Sequence, residues 1–262
     1  MIVLITGAAS GIGFQVGKKL AEMGHFVYLT VHYEYELEPL HEKLSSYSFR
    51  NPVQCFVLDI SNPSDRRKIH DLNVDCLINN AAIGIGGSIM DLPVDQLRKN
   101  FEINVFSTIE MIQEYAASLF LRKKKGRCLV VSSMAGIIPL PFMGSYCATK
   151  SSLITLMYTL KQELSLIQSD LTVCLIEPGI YQTGFNEWMI NNKPICHDHF
   201  FGLSYHDIDH YQKLFFNVFS KKKLDSIIRK IVTACVSPHP RFLYRAPISQ
   251  IIGAKLYMLL FK

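Results

Sequence analysis

The sequence lacks several features that would point to whole classes of protein. It has no apolar run of the ~20 residues that a membrane-spanning helix needs, no internal repeat and no low-complexity tract. Its seven cysteines are scattered and odd in number, and none forms the Cys-x-x-Cys spacing of a metal or redox motif. These absences argue against a membrane-spanning or disulfide-stapled protein and favour buried free thiols in a reducing compartment.

Charge is present in ordinary amounts and indicates no unusual partner. Charged residues make up 19% of the chain and hydrophobic residues 49%, with a net charge of +5, which argues against disorder. Basic residues cluster at 122–125 and 221–223, where helices are expected to end or begin. We interpret both clusters as solvated helix ends and predict no nucleic-acid partner.

We also predict no metal site. The nearest candidate is Cys196-His197-Asp198-His199, and a single short cluster in a loop is more typical of a polar surface.

Both ends of the chain bear on location. Met1 leads directly into an apolar strand with no signal peptide before it, so we expect a cytoplasmic protein. The C-terminal segment 248–262 is an apolar predicted helix that could pack on the core, join subunits or lie on a membrane surface. Packing on the core is our expectation.

Strand-like and helical patterns alternate along the chain. Continuous Val/Ile/Leu runs predict strands at 2–5, 26–31, 53–58, 74–78, 127–131 and 171–176 and near Phe242, with helices predicted at 12–23, 36–47, 64–70, 94–122 and 146–168. This rhythm predicts an α/β fold of the Rossmann type, with a doubly wound, mostly parallel sheet of seven strands and helices on both faces. The aromatic-rich segment 183–216 departs from the rhythm, and we interpret it as a lid or binding wall.

Tyr146 and Lys150 lie four residues apart near the start of a predicted helix. This spacing places both side chains on one helix face, so that a phenol and an ammonium can share a site. A phenol has an ordinary pKa of roughly 10, and a cation within ~4–6 Å lowers it by favouring the phenolate. The pair is therefore a candidate acid/base device for an alcohol or carbonyl oxygen, although the same spacing also occurs on half-exposed helix faces.

A glycine-rich turn follows the first predicted strand and leads into a predicted helix. It runs Thr6-Gly7-Ala8-Ala9-Ser10-Gly11-Ile12-Gly13. Glycines let the backbone approach a pyrophosphate closely, and the free N–H groups of a helix N-terminus attract its charge. The turn therefore predicts a dinucleotide site, with a glycine-rich loop that binds no ligand as the alternative.

In this order the motifs resemble the short-chain dehydrogenase/reductase family over nearly the whole chain. That family has Thr-Gly-x-x-x-Gly-x-Gly in its first turn, as at Thr6 to Gly13, and Ser133 precedes Tyr146 by the usual 13 residues. Two positions depart from the pattern. Ala82 replaces a glycine after the fourth strand, and Ser107 replaces the glycine that usually follows the family's Asn-x-x.

The resemblance implies a single NAD(P)-binding domain over residues 1–262 and assigns its site. The catalytic residues that it implies are Asn104, Ser133, Tyr146 and Lys150. The cofactor-binding residues that it implies are Thr6, Gly7, Ser10, Gly11, Ile12, Gly13, His32, Asp59, Ile60, Asn80, Ala81, Tyr146, Lys150, Pro178, Gly179 and Thr183. Asp59 would contact the adenine, and the element from Pro178 to Thr183 would hold the nicotinamide amide.

By the same resemblance, Tyr146 would be the general acid in reduction and the base in oxidation. Lys150 would stabilise the phenolate and bind the nicotinamide ribose, Ser133 would donate a hydrogen bond to the substrate oxygen, and Asn104 would hold a water in a proton relay to Lys150. The expected function is hydride transfer between a nicotinamide and a lipophilic ketone or alcohol. The alternative is a catalytically silent NAD(P)-binding sensor or scaffold, which usually has lost the Tyr, Lys or Ser that stand here.

The end of the second predicted strand bears on the cofactor. An NAD enzyme of this family generally has an acidic residue at about Val31, which would bind the ribose hydroxyls and repel a 2′-phosphate, and this chain has none there. An NADP enzyme generally has Arg at the next position or a basic residue in the glycine turn, where this chain has His32 and Ser10. We expect a slight preference for NADP(H), with NAD(H) as the alternative.

Apolar and aromatic residues are expected around the substrate, namely Met134, Leu140, Met143, Tyr181, Phe185 and Trp188. Such a wall suits a steroid, a retinoid or a long aliphatic carbonyl better than a sugar, unless half of these residues pack into the core. The stretch from Tyr146 to Lys150 is similar to the hydroxysteroid and retinol dehydrogenase branch and is shared with many bacterial reductases. The resemblance also implies homodimers or homotetramers through the predicted helices 94–122 and 146–168.

Overall fold

The structure, a computed structural model, describes residues 1–192 and 205–260. Its described residues contain one sheet, in which every strand runs parallel to its neighbours in the order β3-β2-β1-β4-β5-β6-β7. The strands are β1 (Ile2–Ile5), β2 (Phe26–Val31), β3 (Val53–Val57), β4 (Cys76–Asn79), β5 (Gly126–Val131), β6 (Leu171–Pro178) and β7 (Leu243–Ala246). The predicted seven-stranded Rossmann-type sheet is confirmed.

Helices cover both faces of this sheet. They are α1 (Gly11–Glu22), α2 (Leu37–Ser45), α3 (Pro63–Arg67), α4 (Val94–Phe101), α5 (Ser107–Arg122), α6 (Gly144–Leu166), α7 (Phe185–Asn191), α8 (Tyr205–Phe219), α9 (Asp225–Val236) and α10 (Ile248–Leu260). Side chains of β1 alternate between two cores, with Val3 and Ile5 facing α1 and α9 and Leu4 facing α5 and α6. Because both strand faces are buried, the strands are continuous apolar runs.

The strand order reverses between β1 and β4, which is where the site forms. The chain leaves β1 for β2 on one side and reaches β4 on the other, so the loops after these strands diverge and leave a crevice at their carboxyl ends. The turn after β1 opens into this crevice, and the Ala8 N–H donates to the Thr30 carbonyl, 2.7 Å away, at the end of β2. Helix α6, which carries Tyr146 and Lys150, begins at the same edge of the sheet.

Three elements differ in detail from the sequence prediction. The predicted helix 94–122 changes at Glu102–Phe106 to a π-helical turn, which separates α4 from α5. The segment 183–216 contains α7 and part of α8, and the candidate metal cluster from Cys196 to His199 lies outside the described residues. The apolar C-terminal segment forms α10, which buries Ala254 and leaves Ile252, Leu256 and Leu259 exposed. Packing on the core therefore accounts for only part of this helix.

Candidate active site

A cleft of about 1210 Å³ runs along the carboxyl edge of the sheet, from the end of β2 past the glycine turn to α7, α8 and α10. It is lined by all six residues predicted for the substrate and by every residue predicted for cofactor binding or catalysis except Thr6, Gly13 and Asn104. Its size is sufficient for a dinucleotide together with a second, smaller ligand.

The glycine turn lies close against the end of β4. Gly7 has a φ of +63°, and a Cβ atom there would lie 2.7 Å from the Ala81 Cα. Helix α1 begins at Gly11 with no acidic residue in its first turn, so its free N–H groups face the cleft without a competing carboxylate. The close approach of backbones and the open helix N-terminus fit a bound pyrophosphate.

Thr6 and Gly13 were predicted to bind the cofactor, but neither lines the cleft. Both instead support the glycine turn from the side away from the cleft. The buried Thr6 hydroxyl accepts hydrogen bonds from the Asn80 and Ala81 N–H groups at 3.0 and 3.1 Å. A Cβ at Gly13 would lie 2.6 Å from the Asn80 Nδ2, which itself donates to the Gly7 carbonyl at 2.8 Å. Both residues therefore fix the shape of the turn through Asn80.

A polar and aromatic cluster forms the far end of the cleft, beyond β2. The Glu36 carboxylate accepts hydrogen bonds from the backbone N–H groups of His32 and Tyr33, both at 2.9 Å. His32 Nδ1 lies 3.5 Å from Asp59 Oδ1, and the exposed Tyr33 and Tyr35 rings stack with their centres 5.1 Å apart. Flat exposed rings and hydrogen-bonding groups together suit the adenosine end of a dinucleotide.

Tyr146, Lys150 and Ser133 meet at the middle of the cleft. Tyr146 and Lys150 lie one turn apart on α6, with Lys150 Nζ 5.7 Å from the centre of the Tyr146 ring. The Ser133 side chain is hydrogen-bonded to the phenol. Lys150 Nζ donates to the Val131 carbonyl at the end of β5, 3.0 Å away. Each group is buried or nearly so, yet lines the cleft.

Burial has a larger effect on the pKa values of Tyr146 and Lys150 than the attraction between their charged forms. Removal from water disfavours the phenolate and raises the pKa of Tyr146 well above its ordinary value, although the Ser133 hydrogen bond opposes that rise. Burial also lowers the pKa of Lys150 from 10.5 to about 8. The sequence led us to expect a lowered pKa for Tyr146, and this expectation was wrong for the protein alone because the ammonium is directed to Val131.

Asn104 uses its side chain to hold the loop after β4. Its Oδ1 accepts from the Ile83 N–H, and its Nδ2 donates to the Ile83 carbonyl, both at 2.8 Å, and to the Thr149 hydroxyl at 3.1 Å. Thr149 in turn donates to the Tyr146 carbonyl at 2.8 Å. Both amide donors and one of the two lone pairs of Oδ1 are thus engaged, and Asn104 lies within the π-helical turn.

A family match now bears on the identity of this site. The family described as short chain dehydrogenase matches residues 1–193, about three quarters of the chain. The chain belongs to the short-chain dehydrogenase family. Membership places it among the NAD(P)-dependent oxidoreductases, and the predicted family is confirmed.

Two relatives of this chain are named for the reduction of lipid-like substrates. The 3-ketodihydrosphingosine reductase of Bacteroides thetaiotaomicron is 30% identical over 193 residues, which cover 71% of this chain and 66% of that protein. The NADPH-dependent 1-acyldihydroxyacetone phosphate reductase of Saccharomyces cerevisiae is 32% identical over 160 residues, which cover 58% and 52%. The match therefore spans about half to two thirds of the length of these relatives.

A solved structure shows the same fold. A short-chain dehydrogenase/reductase from Burkholderia phymatum, determined in complex with NAD, superposes with a TM-score of 0.83 at 21% identity, covering 97% of this chain and 92% of that chain.

Two parts of this short-chain dehydrogenase site escaped the sequence analysis. Asn100, four residues before Asn104, bonds the Ile85 N–H and carbonyl and donates to the Ser145 hydroxyl at 2.6 Å. The Asn-x-x-x-Asn spacing of Asn100 and Asn104 places both side chains on one helix face, and this signal could have identified Asn100 from the sequence. The second part is the wall supplied by α8 and α10, whose lining residues are Phe215, Phe216, Val218, Phe219, Ser249, Gln250, Gly253, Ala254 and Leu256.

The described residues contain no group of three or more His, Cys, Asp or Glu side chains placed to hold a metal ion.

Proposed function

We propose that this short-chain dehydrogenase transfers hydride between a nicotinamide cofactor and a lipophilic ketone or alcohol. One observation carries the proposal. Ser133, Tyr146 and Lys150 lie together at the point where the cleft passes from the glycine turn to an apolar wall. A dinucleotide along the first part would end beside these groups, and an apolar substrate would fill the second.

A bound nicotinamide would supply the hydride in reduction and accept it in oxidation. In reduction, negative charge develops on the substrate oxygen, and the Ser133 hydroxyl is placed to donate a hydrogen bond to it. Tyr146 is protonated at neutral pH, as an ordinary phenol is and as the rise of its pKa on burial reinforces, so its phenol can donate the proton. The Lys150 cation then stabilises the phenolate that remains.

Asn104 acts in this proposal as a positioning residue. Its amide is bonded to Ile83 and Thr149, so only the second lone pair of Oδ1 is left to accept from the relay water expected from the sequence. Through Thr149, which donates to the Tyr146 carbonyl, Asn104 fixes the first turn of α6.

The substrate end of the cleft supports a lipophilic substrate. The Phe185 ring lies 5.6 Å from the Tyr146 ring, and Met143 and Phe216 are buried beside them. Tyr181 adds a phenol to this wall, but its hydroxyl is bonded to Ser226 Oγ at 2.7 Å. The two relatives described above carry names of lipid-like substrates, which supports the same class for this chain.

We propose a slight preference for NADP(H). Lys43 Nζ donates to the Ala9 carbonyl at 3.2 Å and so brings a positive charge to the glycine turn, and the yeast relative is named as NADPH-dependent. Glu36 opposes this preference because its carboxylate already occupies the backbone N–H groups that follow β2. A 2′-phosphate there would meet like charge, which keeps the preference small.

We propose self-association through α4, α5 and α6. The apolar face of α6 packs mostly into the core, since Leu153 and Met157 are buried and Leu160 and Leu164 pack against the same cluster. Exposed apolar side chains nevertheless remain at Leu156 and Tyr158 on α6 and at Phe106 in the π-helical turn before α5. Light scattering on the purified chain would show the homodimer or homotetramer, and a monomer at all concentrations would contradict it.

The proposed chemistry is tested by Tyr146→Phe. We expect turnover to fall by about 10²- to 10⁴-fold, because the proton donor is lost, with cofactor affinity nearly unchanged. Tyr181→Phe is the matched control, since it deletes a phenol from the same cleft whose hydroxyl contacts Ser226, and it should keep turnover. The assay follows NADPH and NADH consumption against a panel of lipophilic ketones and alcohols.

Retained turnover in Tyr146→Phe would overturn the catalytic assignment. Tight cofactor binding by the wild-type chain with no turnover on any substrate of the panel would favour the silent sensor or scaffold instead.

A further inference from the structure

The mouth of the cleft has an apolar rim. Four residues both line the cleft and expose much of their surface, namely Trp188 (45%), Phe219 (50%), Leu256 (56%) and Val218 (65%). They come from α7, α8 and α10, so three separate helices present apolar side chains at one opening. An exposed apolar patch of this kind marks a site of interaction with a partner or a membrane.

Helix α10 extends this rim outward. Ile252, Leu256 and Leu259 follow the spacing that places residues on one helix face, and all three are exposed. Gln250 joins the helix to the rest of the mouth, since its Nε2 donates to the Phe219 carbonyl at 2.6 Å and its Oε1 accepts from the Ile180 N–H at 2.7 Å. The apolar face is therefore tied to the cleft and does not stand alone.

Three exposed lysines adjoin the rim. Lys221, Lys222 and Lys223 follow directly after the end of α8. The Lys221 N–H donates to the Ile180 carbonyl at 2.9 Å, which fixes the start of the lysine run beside the cleft wall. We call these three lysines, with Trp188, Val218, Phe219, Ile252, Leu256 and Leu259, the mouth surface.

This chemistry fits an anionic lipid bilayer better than a second copy of the chain. Apolar residues, a tryptophan and lysines side by side are the composition of helices that lie at a membrane interface. Each lysine near an anionic surface adds about fivefold to binding. In a symmetric dimer the same patch would face itself, so the two lysine runs would lie near each other and repel.

We propose that the mouth surface docks this protein on anionic membranes and opens the substrate cleft directly to the lipid phase. The contact that we propose is interfacial. No helix among the described residues is long and apolar enough to cross a bilayer. Docking itself does not depend on the proposed function. Entry of the substrate from the bilayer does, because it rests on a lipophilic substrate.

Trp188 gives the test an internal reporter, since it is the chain's one tryptophan. Full-length protein is mixed with vesicles of phosphatidylcholine alone or with about one fifth phosphatidylglycerol. We expect sedimentation with the anionic vesicles, a blue shift of the tryptophan emission and quenching by brominated lipid. High salt should weaken the binding.

Two variants and one matched control locate the contact. Lys222→Glu with Lys223→Glu should lower the vesicle partition coefficient by at least about tenfold, and Ile252→Ser with Leu259→Ser should lower it similarly. The control, Met23→Ser with Lys19→Glu, changes an exposed apolar residue and an exposed lysine at the end of α1, at the opposite edge of the sheet and outside the proposed subunit interface, and should keep wild-type binding. Thermal unfolding checks that each variant is folded.

Wild-type protein that stays in the supernatant with anionic vesicles would overturn the proposal. So would an equal loss in the control, or rim variants that convert a dimer to a monomer in light scattering while vesicle binding is unchanged. Failure of the proposed function would appear separately, as absence of turnover on dispersed substrates by protein that still binds vesicles.

Discussion

Replacement of Lys150 by methionine should stabilise the protein without cofactor while it abolishes turnover. Lys150 exposes only 3% of its surface, and its ammonium has one protein partner among the described residues, the Val131 carbonyl at 3.0 Å. Methionine has a similar length and no charge, so it can occupy the same channel. The variant therefore separates the effect of Lys150 on the free energy of unfolding from its effect on turnover.

The magnitude follows from the lowered pKa. A pKa that falls from 10.5 to about 8 on folding corresponds to about 3 kcal/mol of destabilisation at neutral pH, where both states are protonated. Removing the ammonium relieves this destabilisation, but loss of its hydrogen bond to the Val131 carbonyl offsets about 1 kcal/mol of the gain. Lys150→Met should therefore raise the free energy of unfolding at pH 7 by about 2 kcal/mol, or Tm by about 5 °C.

The pH dependence of the difference identifies the cause. Between pH 8 and 10.5 the unfolded chain keeps the Lys150 proton that the folded protein has lost, so wild-type stability from this group rises with pH across that window. The advantage of the variant should accordingly shrink from pH 7 to pH 10. Urea unfolding at several pH values measures it, with Lys161→Met, on the exposed face of α6, as the control that should change little.

Two outcomes would refute the reasoning. A Lys150→Met variant that is less stable than wild type at pH 7 would show that burial does not penalise this ammonium. An unchanged difference between pH 7 and pH 10 would show that any gain comes from packing and not from charge.

Two further changes test the turn elements around the site. Glu36→Gln should raise the affinity for NADP⁺ relative to NAD⁺ by about tenfold, since it removes the negative charge beside the backbone N–H groups that follow β2. Isothermal titration with both cofactors measures this ratio, and an unchanged ratio would contradict the proposed effect of Glu36 on cofactor preference. Gly136→Ala should lower the free energy of unfolding by about 1–3 kcal/mol and reduce turnover, because its Cβ would lie 2.6 Å from the Lys150 carbonyl carbon. Gly253→Ala, whose Cβ has open space, is the control in urea unfolding, and equal effects of the two would exclude the clash.

The sheet could be predicted closely because each strand is a local pattern. The prediction for β1 and β2 agrees with the structure, and β6 extends only two residues beyond its predicted end. Such runs need no knowledge of the rest of the chain, since burial on both faces selects Val, Ile and Leu throughout. The π-helical turn at Glu102–Phe106 had no comparable signal, because its cause is the distant contact of Asn104 with Ile83 and Thr149.

The same distinction applies within the site. Residues in a contiguous motif, such as the glycine turn and the pair Tyr146 and Lys150, could be placed at the cleft from their spacing together with the family resemblance, except for Thr6 and Gly13, which do not line it. Glu36 could not, because its carboxylate reaches the end of β2 only when the chain turns back at Glu34–Glu36. A search of the sequence for an acid at Val31 therefore misses a carboxylate that arrives from five residues further on.

Substrate choice is the part of this enzyme that its motifs describe least. The family match ends at residue 193, whereas α8 and α10, which close the substrate end of the cleft, lie beyond it. The family match therefore covers the predicted cofactor half and proton donor, while the opposite wall and every residue of the mouth surface except Trp188 lie beyond it. Phe219 and Leu256 lie at once in the cleft and at its exposed rim. The proposed selection of a lipophilic substrate and the proposed docking on an anionic bilayer therefore depend on the same side chains.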